Sequence, residues 1–293
     1  MIRLLDGGMG QELRRRSATP DHPLWGAKQM LDEPGLVRAL HEEFLRAGAQ
    51  IITTNTFGTS RWRLNRHGMW DAFAAANRAA GEAAEAAREA VNPAALIAGS
   101  LPPLRSAYRA DLVLPVADAV VEYAEQALVL APHVDVFLAE TMVSALEARG
   151  AAEAALAAGK PVWVAFTLHD YGPPRLRGGE TIAEAVGALA DLSIGAFLLN
   201  CSTPEVVSAG MAELVAAAGA TPAGGYANGF VEVPQEWALG MDVDELMLRA
   251  DLDPDAYAAH ASAWLDAGAT IVGGCCEVGP AHIARLAALI ATR

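Results

Sequence analysis

The residues of this chain with the most specific chemistry to offer are its three cysteines, Cys201, Cys275 and Cys276. Cys201 follows the apolar run 195–200, and Cys275-Cys276 follow the run 269–274. Short apolar runs of this kind read as strands, so all three thiols stand at strand C-terminal ends. Three thiolates meeting at one rim suit a soft or borderline metal, with Zn2+ the expected ion. Three protein ligands leave a coordination position open, as catalytic zinc sites do. A cysteine taken alone is a small buried hydrophobe, and neighbours on a regular strand point to opposite faces. Gly273-Gly274, just before the pair, lets the backbone turn and aim both sulfurs one way. A Cys275–Cys276 disulfide would be a strained ring, and an odd cysteine count builds no disulfide framework.

Acids are the second group with chemistry to do. Glu140 ends the apolar stretch Val136-Phe137-Leu138-Ala139, and Asp6 ends the first apolar run. A carboxylate there is costly unless paired or used. Salt bridging, helix capping and binding of a substrate ammonium group all fit the pair. Glycoside hydrolysis by two carboxylates fits as well, but it leaves the cysteines unexplained. Other polar residues at the expected strand ends are Thr54-Asn55, Ser100, Thr167, Asn200, Tyr226 and Asn228. His41, His67, His133, His260 and His282 fall in expected helices, where an outer-surface role is the simpler reading. His169 lies in the loop after the fifth strand, with nothing paired to it by spacing.

The elements that must position these residues follow a regular plan. Strands are expected at 3–6, 50–54, 95–100, 135–140, 161–167, 195–200, 222–227 and 269–274. Helices are expected near 34–48, 71–91, 115–131, 143–158, 181–190, 204–218, 254–267 and 280–292. Pro34, Pro115, Pro204, Pro254 and Pro280 stand at helix starts, where a missing N–H is tolerated, and Gly48, Gly159 and Gly268 near helix ends. The strands are apolar throughout, as parallel strands covered on both faces are. Eight strand–helix units with no break in composition predict a single α/β domain over 1–293, a (β/α)8 TIM barrel, with a long loop at 228–253 after strand seven. A doubly wound open sheet is the competing fold, but Asp6-Gly7-Gly8-Met9-Gly10 does not match its GxGxxG loop. The 101–114 and 228–253 connections are long enough to be lids, site walls or subunit contacts. The second carries Trp237 and the acidic stretch Asp242–Glu245.

Of 293 residues 53% are hydrophobic, enough for a large core and against disorder. The net charge of -14, from 21 basic against 35 acidic residues, argues against nucleic-acid or anionic-membrane partners. No signal-peptide pattern opens the sequence and no uncharged apolar run reaches membrane-spanning length, so a cytoplasmic enzyme is the expectation.

The motifs carry a resemblance. Leu5-Asp6-Gly7-Gly8-Met9-Gly10, Pro23-Leu24-Trp25, the His41–Gly48 helix, Thr53-Thr54-Asn55-Thr56-Phe57, Ala139-Glu140-Thr141, Asn200-Cys201, Tyr226-Ala227-Asn228 and Gly273-Gly274-Cys275-Cys276 with Pro280 and Ile283 span the chain. Together they resemble the homocysteine S-methyltransferases, which include the betaine–homocysteine enzymes and the homocysteine module of methionine synthase. The resemblance implies a zinc-dependent barrel that methylates homocysteine to methionine. It implies zinc on Cys201, Cys275 and Cys276, and the substrate amino group on Asp6 and Glu140. It also implies a substrate site walled by Gly7, Trp25, Thr54, Asn55, Phe57, Asn200, Tyr226 and Asn228. Zinc-bound substrate thiolate would be the nucleophile, with no separate protein base.

Departures from the family pattern bear on the methyl donor. Tyrosines that cage a quaternary ammonium in the betaine branch match Gly58 and Thr141 here, although Trp25 is retained. That favours a sulfonium donor such as S-methylmethionine over betaine. Glu277 stands where relatives more often carry glycine or arginine; it reads as the opening of the last helix or as an added anion near the donor. Methylation of another thiol or selenol, a homocysteine-binding subunit of a corrinoid or folate system, and a zinc-stabilised scaffold are the other readings. A homo-oligomer fits the long loops equally well.

Overall fold

A computed structural model describes residues 2–19, 22, 24, 26–234 and 246–293. Its eight strands are β1 (Arg3–Leu4), β2 (Ile51–Thr53), β3 (Leu96–Leu101), β4 (Val136–Met142), β5 (Val162–Phe166), β6 (Ile194–Asn200), β7 (Ala223–Tyr226) and β8 (Ile271–Val272). Every pairing is parallel, in the order β1-β8-β7-β6-β5-β4-β3-β2. A parallel bridge between Leu5 and Ile51 joins the two ends, with Gln50 N donating to Leu4 O and Asp6 N to Ile51 O. The sheet therefore closes on itself, and the expected TIM barrel is the observed fold. β1 and β8 are shorter than expected because the chain leaves the ladder early to build the mouth.

Strand periodicity of two sorts the apolar residues into two layers. Leu5, Ile51, Ala98, Val136, Leu138, Trp163, Ala165, Ala196, Leu198, Tyr226 and Ile271 pack together inside the barrel. Their strand neighbours, such as Ile52, Ile97, Phe137, Val164, Phe197 and Val272, pack outward with the helices. By the same parity Ser100, Glu140 and Asn200 continue the inward-facing rows of β3, β4 and β6 towards the C-terminal mouth.

The helices are α1 (Met9–Arg16), α2 (Gly26–Asp32), α3 (Pro34–Arg46), α4 (Arg61–Arg66), α5 (Phe73–Val91), α6 (Val116–Leu130), α7 (Ala145–Ala157), α8 (Ile182–Gly187), α9 (Pro204–Ala218), α10 (Pro254–Asp266) and α11 (Pro280–Ala291). Alanine-rich α5 buries Ala76, Ala80, Ala83, Ala84 and Ala87, so its composition serves close packing on the strands. Pro34, Pro204, Pro254 and Pro280 occupy first helical positions, whereas Pro115 is the N-cap of α6. Gly48, Gly159 and Gly268 adopt positive φ just past their helices, as C-terminal caps do. Helices α1, α2 and α4 are additional to the expected set. The reading of His41 as a surface residue is corrected: it is fully buried in α3, and neither ring nitrogen has a partner among the described residues. Among the described residues, no helix is long and apolar enough to cross a membrane.

Candidate active site

The chain gathers its chemistry at the mouth because three connections fold in over it. After β8 the backbone turns through Cys275–Val278, closed by Val278 N donating to Cys275 O at 3.1 Å. Gly7-Gly8, at the start of α1, press against this turn. A Cβ on Gly7 would lie 2.0 Å from Val278 O, and one on Gly8 2.5 Å from Cys275 O. Gly273 and Gly274 have no positive φ; side chains there would strike Leu5 and Val278. The glycine pair thus permits close approach of β1 and the turn, while the turn expected of it falls just after it, at Cys275–Val278.

This packing brings the ligand atoms of Cys201, Cys275 and Cys276 within 4.8 Å of one another. Cys275 Sγ lies 3.2 Å from Cys201 Sγ, and all three cysteines are free thiols. A tetrahedral ion with Zn–S bonds of ~2.3 Å spans sulfur–sulfur edges of about 3.8 Å, within the reach of this cluster. Three soft donors on one wall of a pocket therefore fit a metal ion with an open coordination position. Cys201 is held well below the ordinary thiol range, chiefly by S–H groups of Cys275 and Cys276 donating to it, then by Tyr108 and Thr141. The two donors, Cys275 and Cys276, are pushed up in turn.

The pocket and the solvent-filled space at its open mouth together take up about 870 Å3. Asp6, Gly7, Thr54, Asn55, Phe57, Glu140, Tyr226 and the three cysteines all line it, as does the β3–α6 connection through Ala107 and Tyr108. Asp6 accepts from Thr53 N at 2.7 Å and Thr53 Oγ1 at 3.0 Å. Glu140 accepts from Ser100 Oγ and, at 3.2 Å, from Tyr226 OH. Burial nonetheless pushes Asp6 up to about 8 and Glu140 up to about 7. The neighbouring Glu140 charge adds to the shift of Asp6. Two acids held this way favour a cation between them, which would restore their charge.

Several expected wall residues hold the framework as well as, or instead of, facing the pocket. Thr54 Oγ1 accepts from Ser100 N, and Asn55 Nδ2 donates to Gly26 O. Asn200 does not line the pocket: its amide accepts from Thr141 N and donates to Thr141 Oγ1, both at 3.0 Å. This brace holds Thr141 at φ 63, a costly conformation for a β-branched residue. Asn228 also lies off the pocket, fully buried, with its carbonyl accepting from Phe230 N at 3.3 Å. His169 does not reach the lining either. Trp25, Trp237 and Asp242–Glu245 lie outside the described residues. Glu277 neither lines the pocket nor opens α11, whose N-cap is Gly279; it pairs with Arg15 on α1.

Tyr108 was missing from the residues singled out by type and spacing. Its hydroxyl donates to Cys201 Sγ at 3.2 Å. Its only signal in the sequence is membership of the unusually long 101–114 connection. Tyr108, Thr141, Cys201 and Glu277 are the non-glycine residues at positive φ among those described, and each is a cysteine of the cluster, a chain neighbour of a cluster or acid residue, or a hydrogen-bond partner of Cys201. Backbone strain of this kind gathers at functional sites.

A family model for homocysteine S-methyltransferase matches residues 3–290. The chain belongs to the homocysteine S-methyltransferase family. It is 30% identical to the homocysteine S-methyltransferase of Escherichia coli (strain K12), over 98% of this chain and 94% of that protein. It is 29% identical to betaine–homocysteine S-methyltransferase 1 of Bos taurus, over 96% of this chain and 70% of that protein. Among solved structures it resembles the metallated form of the E. coli homocysteine methyltransferase MmuM, with a TM-score of 0.82 at 28% identity, covering 98% of this chain and 96% of that one. Of these relatives, the one from Bos taurus is named for betaine as donor, and the E. coli protein is named for homocysteine alone.

Proposed function

We propose that this homocysteine S-methyltransferase family member moves a methyl group from a small cationic donor, a sulfonium such as S-methylmethionine, to the thiol of L-homocysteine, giving methionine. One observation carries the reading: a three-cysteine cluster and a pair of buried acids line the same pocket. Zinc on Cys201, Cys275 and Cys276 would act as a Lewis acid that keeps a substrate thiol, ordinarily of pKa ~8.5, as thiolate near neutrality.

The protein's own groups do the rest. Asp6 and Glu140 take the ammonium group; on its arrival both ionise, reversing the cost of their burial. Gly7-Gly8 open helix α1 onto the pocket, where a helix N-terminus favours the substrate carboxylate. With both ends of the amino acid fixed, its thiol is directed towards the cysteine wall, and alignment with the donor becomes an intramolecular matter.

A sulfonium donor is favoured by what surrounds the two positions that carry cage tyrosines in the betaine branch. A Cβ on Gly58 would lie 2.7 Å from Leu24 O, and Thr141 is fully buried on its Asn200 brace. Neither position can present an aromatic face to a quaternary ammonium without local rearrangement. The test is a donor panel of S-methylmethionine, S-adenosylmethionine, betaine and dimethylsulfoniopropionate, each with homocysteine and zinc. Methionine formation fastest with a sulfonium supports the reading. Betaine as the best donor would reverse the donor assignment, and no methionine from any donor would sink the function. A second acceptor also needs testing, because the chain is 26% identical to a selenocysteine methyltransferase of Astragalus bisulcatus. Competition between homocysteine and selenocysteine decides which acceptor is preferred.

A further inference from the structure

Behind the cysteine wall lies a buried ion pair that none of the motifs marks. The guanidinium of Arg177 stacks on the Tyr108 ring, with Cζ 4.5 Å from the ring centroid. Its side chain is 1% exposed and pairs at 3.3 Å with Asp170, whose side chain is 0% exposed. Asp170 also accepts from the backbone N–H of Thr203 at 2.7 Å and of Val233 at 2.8 Å. One pair thereby joins four connections at the barrel mouth: Tyr108 after β3, Asp170 and Arg177 after β5, Thr203 after β6 and Val233 after β7.

Buried ion pairs are weak contributors to stability, because desolvation rivals their attraction. Burial indeed pulls the Arg177 guanidinium below its ordinary value, opposed by Tyr108, Asp170 and Cys201. The cysteine cluster gives such a cation a purpose. A divalent ion on three thiolates leaves the cluster with one net negative charge, and a bound substrate thiolate adds another. The described pocket lining contains no arginine, lysine or histidine to balance that charge. Arg177 sits one side chain away, behind the tyrosine whose hydroxyl rests on Cys201.

We propose that Arg177 is a positioning residue of the cysteine centre: its stacked guanidinium fixes the Tyr108 hydroxyl on Cys201 Sγ and offsets the net negative charge of the centre with a metal and a substrate thiolate bound. The proposal rests on the reading of Cys201, Cys275 and Cys276 as metal ligands. Outer partners of metal ligands commonly affect metal affinity by ~10–100-fold.

The test measures zinc affinity by chelator competition at one pH for wild type, Arg177→Met, Arg177→Lys, Tyr108→Phe and Arg177→Met/Tyr108→Phe. Thermal melts accompany each, and KM and kcat are measured separately for homocysteine. Expected are zinc binding weakened about 10- to 100-fold in Arg177→Met, partial recovery in Arg177→Lys, and a double variant weakened by less than the product of the single effects. KM for homocysteine should rise more than kcat falls, because thiolate uptake adds charge. A merely structural arginine would lower the melting temperature and leave zinc affinity alone. Wild-type zinc affinity in folded Arg177→Met overturns the proposal. If that variant does not fold, unchanged affinity in both Arg177→Lys and Tyr108→Phe overturns it. A wild-type protein that binds no zinc overturns the metal reading and the proposal together, whereas zinc binding without methionine formation separates the proposal from the assigned reaction.

Discussion

The two walls of the pocket answer burial in opposite ways. On the acid wall, Asp6 and Glu140 have hydrogen-bond donors from Thr53, Ser100 and Tyr226, yet burial prevails and both are pushed up. On the sulfur wall Cys201 is just as buried, yet donors converge on one sulfur and hold it well below the ordinary thiol range. The difference lies in how many donors each group has: Cys275, Cys276, Tyr108 and Thr141 all act on Cys201, against two donors for each acid. The acid wall stays largely neutral until a cation arrives, and the sulfur wall keeps a negative charge ready for one.

The sharpest way to break this contrast is to remove the sulfur wall. Cys201→Ala should lose bound zinc and reduce methionine formation to background, measured by metal content per chain and by turnover with the best donor. Retained zinc and turnover would leave the cluster without its assigned role. Next in size, Glu140→Gln should lower kcat/KM for homocysteine by about 2–5 kcal/mol in transition-state terms, the cost of leaving a buried charge unpaired. Its zinc content should be unchanged, separating the two walls.

A third test reads the acid wall in the substrate-free, metal-free protein. Asp6 and Glu140 have folded-state values raised above their ordinary carboxylate values, so the native state retains protons that the unfolded chain would release. Their contribution to stability is full below about pH 4 and is lost as pH rises through about 7 and 8. Denaturant melts across that window should show falling stability, and Asp6→Asn should flatten the slope. The smallest effect belongs to His41, where burial acts with no hydrogen bond at all and pulls the ring down to about 4. Its contribution is present above pH ~6.5 and is lost as pH falls towards 4. His41→Leu should remove that acid-side loss and change stability at neutral pH by about 1–3 kcal/mol, read from the same melts.

Much of this was legible before any coordinates. The continuous apolar runs gave away parallel strands, and strand ends placed Asp6, Glu140 and all three cysteines at one mouth. Helices α1 and α4 were not legible, because arginine-rich MGQELRRR and RWRLNR lack a long apolar stripe. The resemblance, and its place at a strand end, put Asn200 in the substrate wall; only the fold reveals that Thr141 uses both ends of its amide. Arg177 carried no signal, since its worth depends on a ring 69 positions away in numbering and adjacent in space. His41 misled because its residue type outweighed its position: four residues after Val37 and four before Leu45, it lies on the apolar stripe that α3 buries.

The cysteine centre also has a consequence for the order in which the molecule is made. Cys201 and Cys275 are separated by 74 positions and stand after β6 and β8, with all of α9, β7 and α10 between them. An ion shared by these sulfurs closes that span as a crosslink would, worth about 4 kcal/mol in chain entropy on the loop-closure model. The last of its ligands emerges only with the final strand, which also pairs with the first. A full set of three sulfurs for an ion would therefore exist only once that strand has been made.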